Sequence, residues 1–328
     1  MTETSQQIVL LLNVGTPSEP TPRAVQDYLL EFLSDPHIVK LPAWLWQPLL
    51  RAIILPIRSR RSAKLYRSIW MKEGSPLAVY SKKLATKVQE CLGDAFKVVL
   101  SMRYGQPSMQ FTVEEILRND RTTSLTVLPL YPQYSVATTA SCLDVIEEIF
   151  KRQNFEKKIP LHVITSYFDN PLYITALEKT IRHYWSVHGS SAYLLFSFHG
   201  LPQRRLKLEA SYEQQCRVTV HLLAQALNLS FDQYQLVFQS RFGQAAWLQP
   251  YCDVLLRQLP KKKIKRVAIV CPGFVVDCLE TLEEISTRYR EIFFRAGGEN
   301  FHYIPALNDS IEHGNLLAGL IKQKTINH

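Results

Sequence analysis

No Cys-x-x-Cys pair, no glycine-rich phosphate signature and no bilayer-length apolar run occurs in this chain. The cysteines are Cys91, Cys142, Cys216, Cys252, Cys271 and Cys278. Their scatter gives neither a zinc knuckle nor an iron–sulfur pattern, and thiols in apolar surroundings suit a reducing compartment. The absence of G-x-G-x-x-G and of G-x-x-x-x-G-K-[ST] after any strand excludes dinucleotide and P-loop nucleotide readings. The longest apolar stretch, LPAWLWQPLLRAIILPI at residues 41–57, is broken by three prolines and by Arg51. It falls short of the ~20 apolar residues that a spanning helix needs. The N-terminal MTETSQQIVLLLNVGTP has no basic leader, so a soluble, cytoplasmic chain is expected.

What is present is ordinary globular material: 328 residues, 46% hydrophobic and 20% charged. That length predicts two domains. The 38 Lys and Arg exceed the 29 Asp and Glu, giving +9 and a pI near 9.2. The excess suits an acidic ligand, an anionic membrane surface or nucleic acid. No recognised binding motif accompanies the charge, which disfavours nucleic acid.

Short Val/Ile/Leu runs alternate with segments of helical period throughout. Ile8–Asn13, Phe96–Ser101, Ser124–Leu130 and Leu161–Thr165 read as strands, as do Tyr193–Phe198, Tyr234–Gln239, Arg266–Val270 and Phe301–Ile304. Non-alternating apolar strands separated by helices predict parallel sheets covered on both faces. We therefore expect an α/β fold of two Rossmann-like, doubly wound domains facing each other across a cleft. They are assigned to residues 1–157 and 158–328, with the polar Arg152–Lys158 as linker.

Ligands of open α/β sheets bind beyond the carboxyl ends of the strands, which directs attention to a few segments. His199 ends the apolar LLFSFH run and precedes Gly-Leu-Pro. A histidine there is either a satisfied structural residue or an imidazole able to take a proton or a metal near neutral pH. Asp277, Glu280 and Glu284 stand at i, i+3 and i+7 and share one stripe of an α-helix. That stripe is a solvated face or, if it lines a cleft, a cation and proton path. Arg58, Arg60, Arg61, Lys64 and Arg67 follow the Trp44/Trp46 stretch. They form a solvated face or an edge that meets membrane or a flat amphiphilic anion. Tyr104, Tyr131 and Tyr134 are core residues or stacking platforms.

Taken together, LLNVGTP, GSPL, MRYG, LPLYPQYSVATTAS, LLFSFHGLPQR, FQSRFGQAAWLQP and CPGFVVDCLETLEEI resemble the ferrochelatases, over nearly the whole chain. The resemblance implies a chelatase-like fold and a lyase that inserts Fe2+ into protoporphyrin IX, giving protohaem at the end of haem biosynthesis. It implies His199 and Glu280 as catalytic pair and metal contacts, with Asp277 and Glu284 extending an acidic line. It places Arg60, Arg61, Ser75, Arg103, Tyr104 and Tyr134 near the porphyrin, and residues 41–61 as the lip of its cleft. Fe2+ is then substrate, with no permanently bound cofactor. No iron–sulfur cluster is expected, since no cysteine-bearing extension follows. An apolar lip backed by arginines suits protoporphyrin better than a tetracarboxylate porphyrin, and implies weak peripheral contact with the inner membrane. The alternatives are a cobalt chelatase of another tetrapyrrole and a non-catalytic porphyrin or haem carrier.

Overall fold

The computed structural model describes residues 5–152, 159–189, 193–203, 209–243 and 245–326. Within them the chain forms two compact units. The first comprises Met1–Leu130, Ser135–Thr165 and Asp309–His328, and the second Tyr131–Tyr134 and Ser166–Asn308.

The first unit begins with β1 (Gln6–Gly15), whose Ile8–Leu12 core is at most 2% exposed. A strand buried on both faces has no reason to alternate, which is why its sequence is a continuous apolar run. Helices α1 (Pro22–Ser34), α2 (Ala43–Leu49), α3 (Leu55–Ile69) and α4 (Pro76–Leu92) follow, then β2 (Phe96–Tyr104), α5 (Met109–Arg118), β3 (Thr122–Pro129), α6 (Ser141–Arg152) and β4 (Leu161–Val163). The four strands are all parallel, in the order β2-β1-β3-β4. Between α2 and α3 a π-type turn, Leu50–Ile54, keeps residues 43–69 continuously helical despite Pro48 and Pro56. The interruptions seen in the sequence are absorbed by that turn.

The second unit repeats the plan. It runs α7 (Pro171–His188), β5 (Tyr193–His199), α8 (Ala210–Ala226), β6 (Tyr234–Gln239), α9 (Cys252–Gln258), β7 (Arg266–Val270), a π-type helix at Glu280–Tyr289, α10 (Arg290–Arg295) and β8 (Asn300–Ile304). Its sheet is parallel in the order β6-β5-β7-β8. Leu195, Val237, Val267 and Ile269 form the sheet side of a core closed by Leu256, Ile285 and Phe293.

The two units depart from a simple division near 157, a position outside the described residues. The final helix, α11 (Ile311–Ile326), returns to the first unit and packs on α4. Gly314 permits the approach: a Cβ there would stand 2.6 Å from Lys87 Cγ and 3.4 Å from Cys91 Sγ. Helix α4 itself was not anticipated, although Ser75 and Pro76 form a cap and first turn favourable to a helix.

Candidate functional site

In a sheet of order 2-1-3-4 the direction of winding reverses between the first and third strands, and ligands bind at that reversal. In the second unit this point lies between β5 and β7. His199 is the last residue of β5, and Glu280 opens the π-type helix that follows the neighbouring β7.

His199 is partly buried, and its Nδ1 lies 2.7 Å from the carbonyl oxygen of Gly200. A carbonyl only accepts, so Nδ1 carries a proton, and in the neutral ring the lone pair is then on Nε2. The Tyr212 hydroxyl donates to the His199 carbonyl at 2.9 Å, and the Phe274 ring lies 6.5 Å from the imidazole, centroid to centroid. Gly200 is required by packing, because a Cβ there would meet the Gln239 carbonyl oxygen at 2.9 Å and Trp247 at 3.3 Å.

Gln239 is the register partner of His199 on β6 and is 1% exposed. Its carbonyl accepts from Gly200 N–H at 2.8 Å. Its side-chain Oε1 accepts from Ser197 Oγ at 2.7 Å and from Cys271 Sγ at 3.5 Å, while Nε2 donates to the Glu280 carbonyl at 2.9 Å. Sequence reasoning passed over this residue. The signal was its place at the end of a buried strand, where an amide needs several partners.

The acidic stripe takes a different form from the one expected. Asp277 precedes the helix, and Glu280–Tyr289 is π-type, so the three carboxylates do not lie along one α-helical face. Asp277 is 3% exposed and accepts from Thr281 Oγ1 at 2.9 Å, Asn308 Nδ2 at 2.7 Å and Tyr303 Oη. Glu284 is 6% exposed and accepts from Ser240 N–H at 3.1 Å, Ser240 Oγ at 2.5 Å and Tyr289 Oη at 2.9 Å. Burial, then the Asp277 charge, pushes the Tyr303 phenol up, and burial with Glu284 does the same for Tyr289. Both remain hydroxyl donors. Asp277 and Glu284 are thus anchors within the unit, and Glu280, at the first position of the π-helix, is the partly exposed member of the three. Among the described residues no group of three or more His, Cys, Asp or Glu side chains is arranged to hold a metal ion.

Tyr134 is half-buried, with its backbone N–H donating to Gln215 Oε1 at 2.7 Å. In the first unit, Arg60 and Arg61 are exposed on α3. Ser75 is 3% exposed and its Oγ caps α4 by accepting from Ala78 N–H at 3.2 Å. Arg103 and Tyr104 belong to a buried network around Asp35. That carboxylate accepts from the Tyr104 hydroxyl at 2.7 Å, Ser141 Oγ at 2.8 Å, His37 N–H at 2.7 Å and the Arg103 guanidinium. Burial alone would raise the Asp35 pKa; the His37 N–H, the two hydroxyls and Arg103 outweigh it and hold it below the usual carboxylate range. Ser75, Arg103 and Tyr104 are accordingly occupied within the unit, a burial that the sequence did not disclose.

The residues 41–57 carry Leu41, Trp44, Leu45, Leu49, Ile53 and Ile57 outward, with Trp44 79% exposed. Trp46 instead secures the segment, its Nε1 donating to the Leu33 carbonyl at 2.7 Å. Arg51, Arg58, Arg60, Arg61 and Lys64 are exposed alongside.

Comparison with solved structures places the fold among chelatases. The chain is similar to SirB from Bacillus subtilis with Fe3+ (TM-score 0.57, 12% identity, covering 98% of this chain and 96% of that one). It is also similar to CbiX, the terminal enzyme for biosynthesis of sirohaem in denitrifying bacteria (TM-score 0.51, 12% identity, 97% and 98%). At sequence level it is 48% identical over 315 residues to the ferrochelatase of Methylococcus capsulatus, covering 96% of this chain and 95% of that protein. It is 47% identical over 320 residues to that of Vibrio parahaemolyticus, covering 98% of each. The family model described as Ferrochelatase matches residues 6–325. With that match over nearly its whole length, the chain belongs to the ferrochelatase family.

Proposed function

We propose that this chain inserts Fe2+ into protoporphyrin IX to form protohaem, with His199 and Glu280 as the reacting side chains. As a family member it is an enzyme, a lyase of haem biosynthesis. Metal insertion exchanges two pyrrole protons for one Fe2+ with no change of oxidation state. The protein must offer a base to those protons, and must hold the ring distorted so that its nitrogen lone pairs leave the ring plane. Binding energy over the rest of the macrocycle offsets that strain.

The observation that carries the assignment is the His199 Nδ1 bond to the Gly200 carbonyl. It presents an imidazole whose Nε2 accepts a pyrrole proton or contacts the incoming metal first. Glu280 is the second base or ligand. Asp277 and Glu284 support its helix from behind. A histidine and carboxylate site discriminates poorly among divalent ions, so Zn2+ insertion accompanies Fe2+ insertion.

Arg60 and Arg61 meet the propionates, and Tyr134 meets the macrocycle. Ser75, Arg103 and Tyr104, occupied within the first unit, support the porphyrin-binding residues indirectly. The exposed apolar ridge with flanking arginines supports weak peripheral attachment to anionic membrane at low salt. No helix among the described residues is long and apolar enough to cross a membrane.

The test is stopped-flow loss of free porphyrin on adding Fe2+. Multiple turnovers per protein are expected. His199→Ala should bind porphyrin with near-native affinity and fail to turn over, and Glu280→Gln should lose most turnover. His199→Ala retaining a rate within about threefold of the parent removes His199 from the chemistry.

A further inference from the structure

We propose that Gln239 is a positioning residue of the insertion reaction: its backbone carbonyl holds the turn after His199, and its buried side-chain amide sets the residue that opens the π-helix against that turn. The proposal rests on the reading of His199 and Glu280 as the reacting pair.

Three bonds carry it. On one side, the Gln239 carbonyl accepts the Gly200 N–H at 2.8 Å, and the Gly200 carbonyl in turn receives His199 Nδ1 at 2.7 Å. The residue whose carbonyl fixes the imidazole tautomer is thus itself held at its N–H by Gln239. On the other side, Gln239 Nε2 donates to the carbonyl of Glu280 at 2.9 Å. The amide orientation follows from its partners: the Glu280 carbonyl demands a donor, and the Ser197 hydroxyl, 2.7 Å from Oε1, supplies a proton to the opposite end. Cys271 Sγ adds a weaker donor to the same oxygen at 3.5 Å. All of this occurs at a residue 1% exposed, where a lost partner is not replaced by water.

The consequence is geometric. His199 lies on β5, Gln239 on the flanking β6, and Glu280 follows β7 on the other side of β5. One residue thus spans the end of β5, holding the turn after His199 through its backbone carbonyl and Glu280 through its side-chain amide. Its grip on Glu280 is on that residue's own backbone; the same Nε2 makes a longer 3.5 Å contact with Glu284 Oε2, a carboxylate held mainly by Ser240 and Tyr289. Displacement of a reacting group by about 1 Å costs roughly 100-fold in rate.

The test compares kcat and porphyrin KM for the parent, Gln239→Met and Gln239→Glu, with Fe2+ and with Zn2+. Gln239→Met fills the volume without polar atoms. Gln239→Glu keeps the Ser197 acceptor but loses the donor to Glu280, and serves alone if the methionine variant does not fold. Each is expected to lower kcat at least about tenfold with KM within about threefold. The same substitution is then made in the Glu280→Gln background. Positioning through Glu280 predicts that the further loss shrinks below about threefold, since coupled residues are non-additive; a general loosening of the fold predicts the full loss in both backgrounds. Unchanged kcat, an effect confined to KM, or equal losses in both backgrounds overturns the proposal. A parent that inserts neither metal refutes the functional reading instead, and is distinguished by that control.

Discussion

Replacing Glu284 by Gln separates an anchoring carboxylate from one on a metal path. The carboxylate accepts three short bonds, from Ser240 N–H, Ser240 Oγ and Tyr289 Oη, at 3.1, 2.5 and 2.9 Å. The amide keeps the shape and one acceptor oxygen, while the serine and tyrosine hydroxyls can turn to suit the new NH2 group. What disappears is mainly the charge assistance. A bond to an ionised acceptor contributes ~1.5–3 kcal/mol against ~0.5–1.5 for a neutral one. Losing ~1 kcal/mol on each of three bonds gives about 3 kcal/mol. For a unit of this size ~1 kcal/mol corresponds to roughly 2–4 °C in Tm, so the second unit should melt about 6–12 °C lower. Insertion at saturating metal should stay within about threefold of the parent, because Glu280 keeps its own backbone tether. Thermal melting followed by tryptophan fluorescence, paired with initial rates over a range of Zn2+, measures both quantities. A Tm within about 2 °C of the parent, together with a several-fold rise in the metal KM, would refute the anchoring argument and return Glu284 to the metal path.

Three further outcomes follow from the same reasoning. Asp35→Asn should lower Tm most near neutral pH. The folded Asp35 pKa is depressed, so its stabilisation exists above the unfolded value of ~3.9 and fades as pH falls through the folded value; the difference from the parent should therefore close below about pH 4. An equal Tm deficit at pH 3 and pH 7 contradicts this sign. Trp44→Ala combined with Ile53→Ser should reduce co-sedimentation with anionic vesicles in low salt and leave Tm within about 2 °C, since both side chains are exposed; unchanged sedimentation dismisses the ridge as a membrane contact. Comparing kcat/KM for protoporphyrin IX and coproporphyrin should favour the dicarboxylate, and a preference for the tetracarboxylate sinks the argument from the apolar lip.

Buried parallel strands were the most legible part of the sequence, because both faces demand apolar residues; β6 and β7 match their expected limits at Tyr234–Gln239 and Arg266–Val270. His199 stood out as a polar residue ending such a run, whereas Glu280 was singled out by its spacing from Asp277 and Glu284 and by the family resemblance. The helix at 280–289 was less legible. Its i→i+5 register is a tertiary outcome, with Ser240 and Gln239 gripping it from β6, and no local propensity specifies a π-helix. The same limit explains Ser75 and Tyr104. A serine before Pro76 is equally a cap and a ligand contact in sequence, and only the bonds to Ala78 N–H and Asp35 reveal how each is occupied. Gln239 was invisible because its value lies in partners at residues 197, 271 and 280.

The return of α11 to the first unit has a consequence for synthesis on the ribosome. Nearly all of the second unit is one continuous stretch, Ser166–Asn308, whereas the first unit needs Asp309–His328 to cover α4. Chains emerge N-terminus first and domains fold as units, yet here the order is inverted. The later-translated unit can close while the earlier one still exposes the α4 surface that α11 will occupy. Until residues 311–326 have left the exit tunnel, that surface is uncovered, and a stalled chain ending near residue 308 should be protease-resistant in its second unit and sensitive in its first.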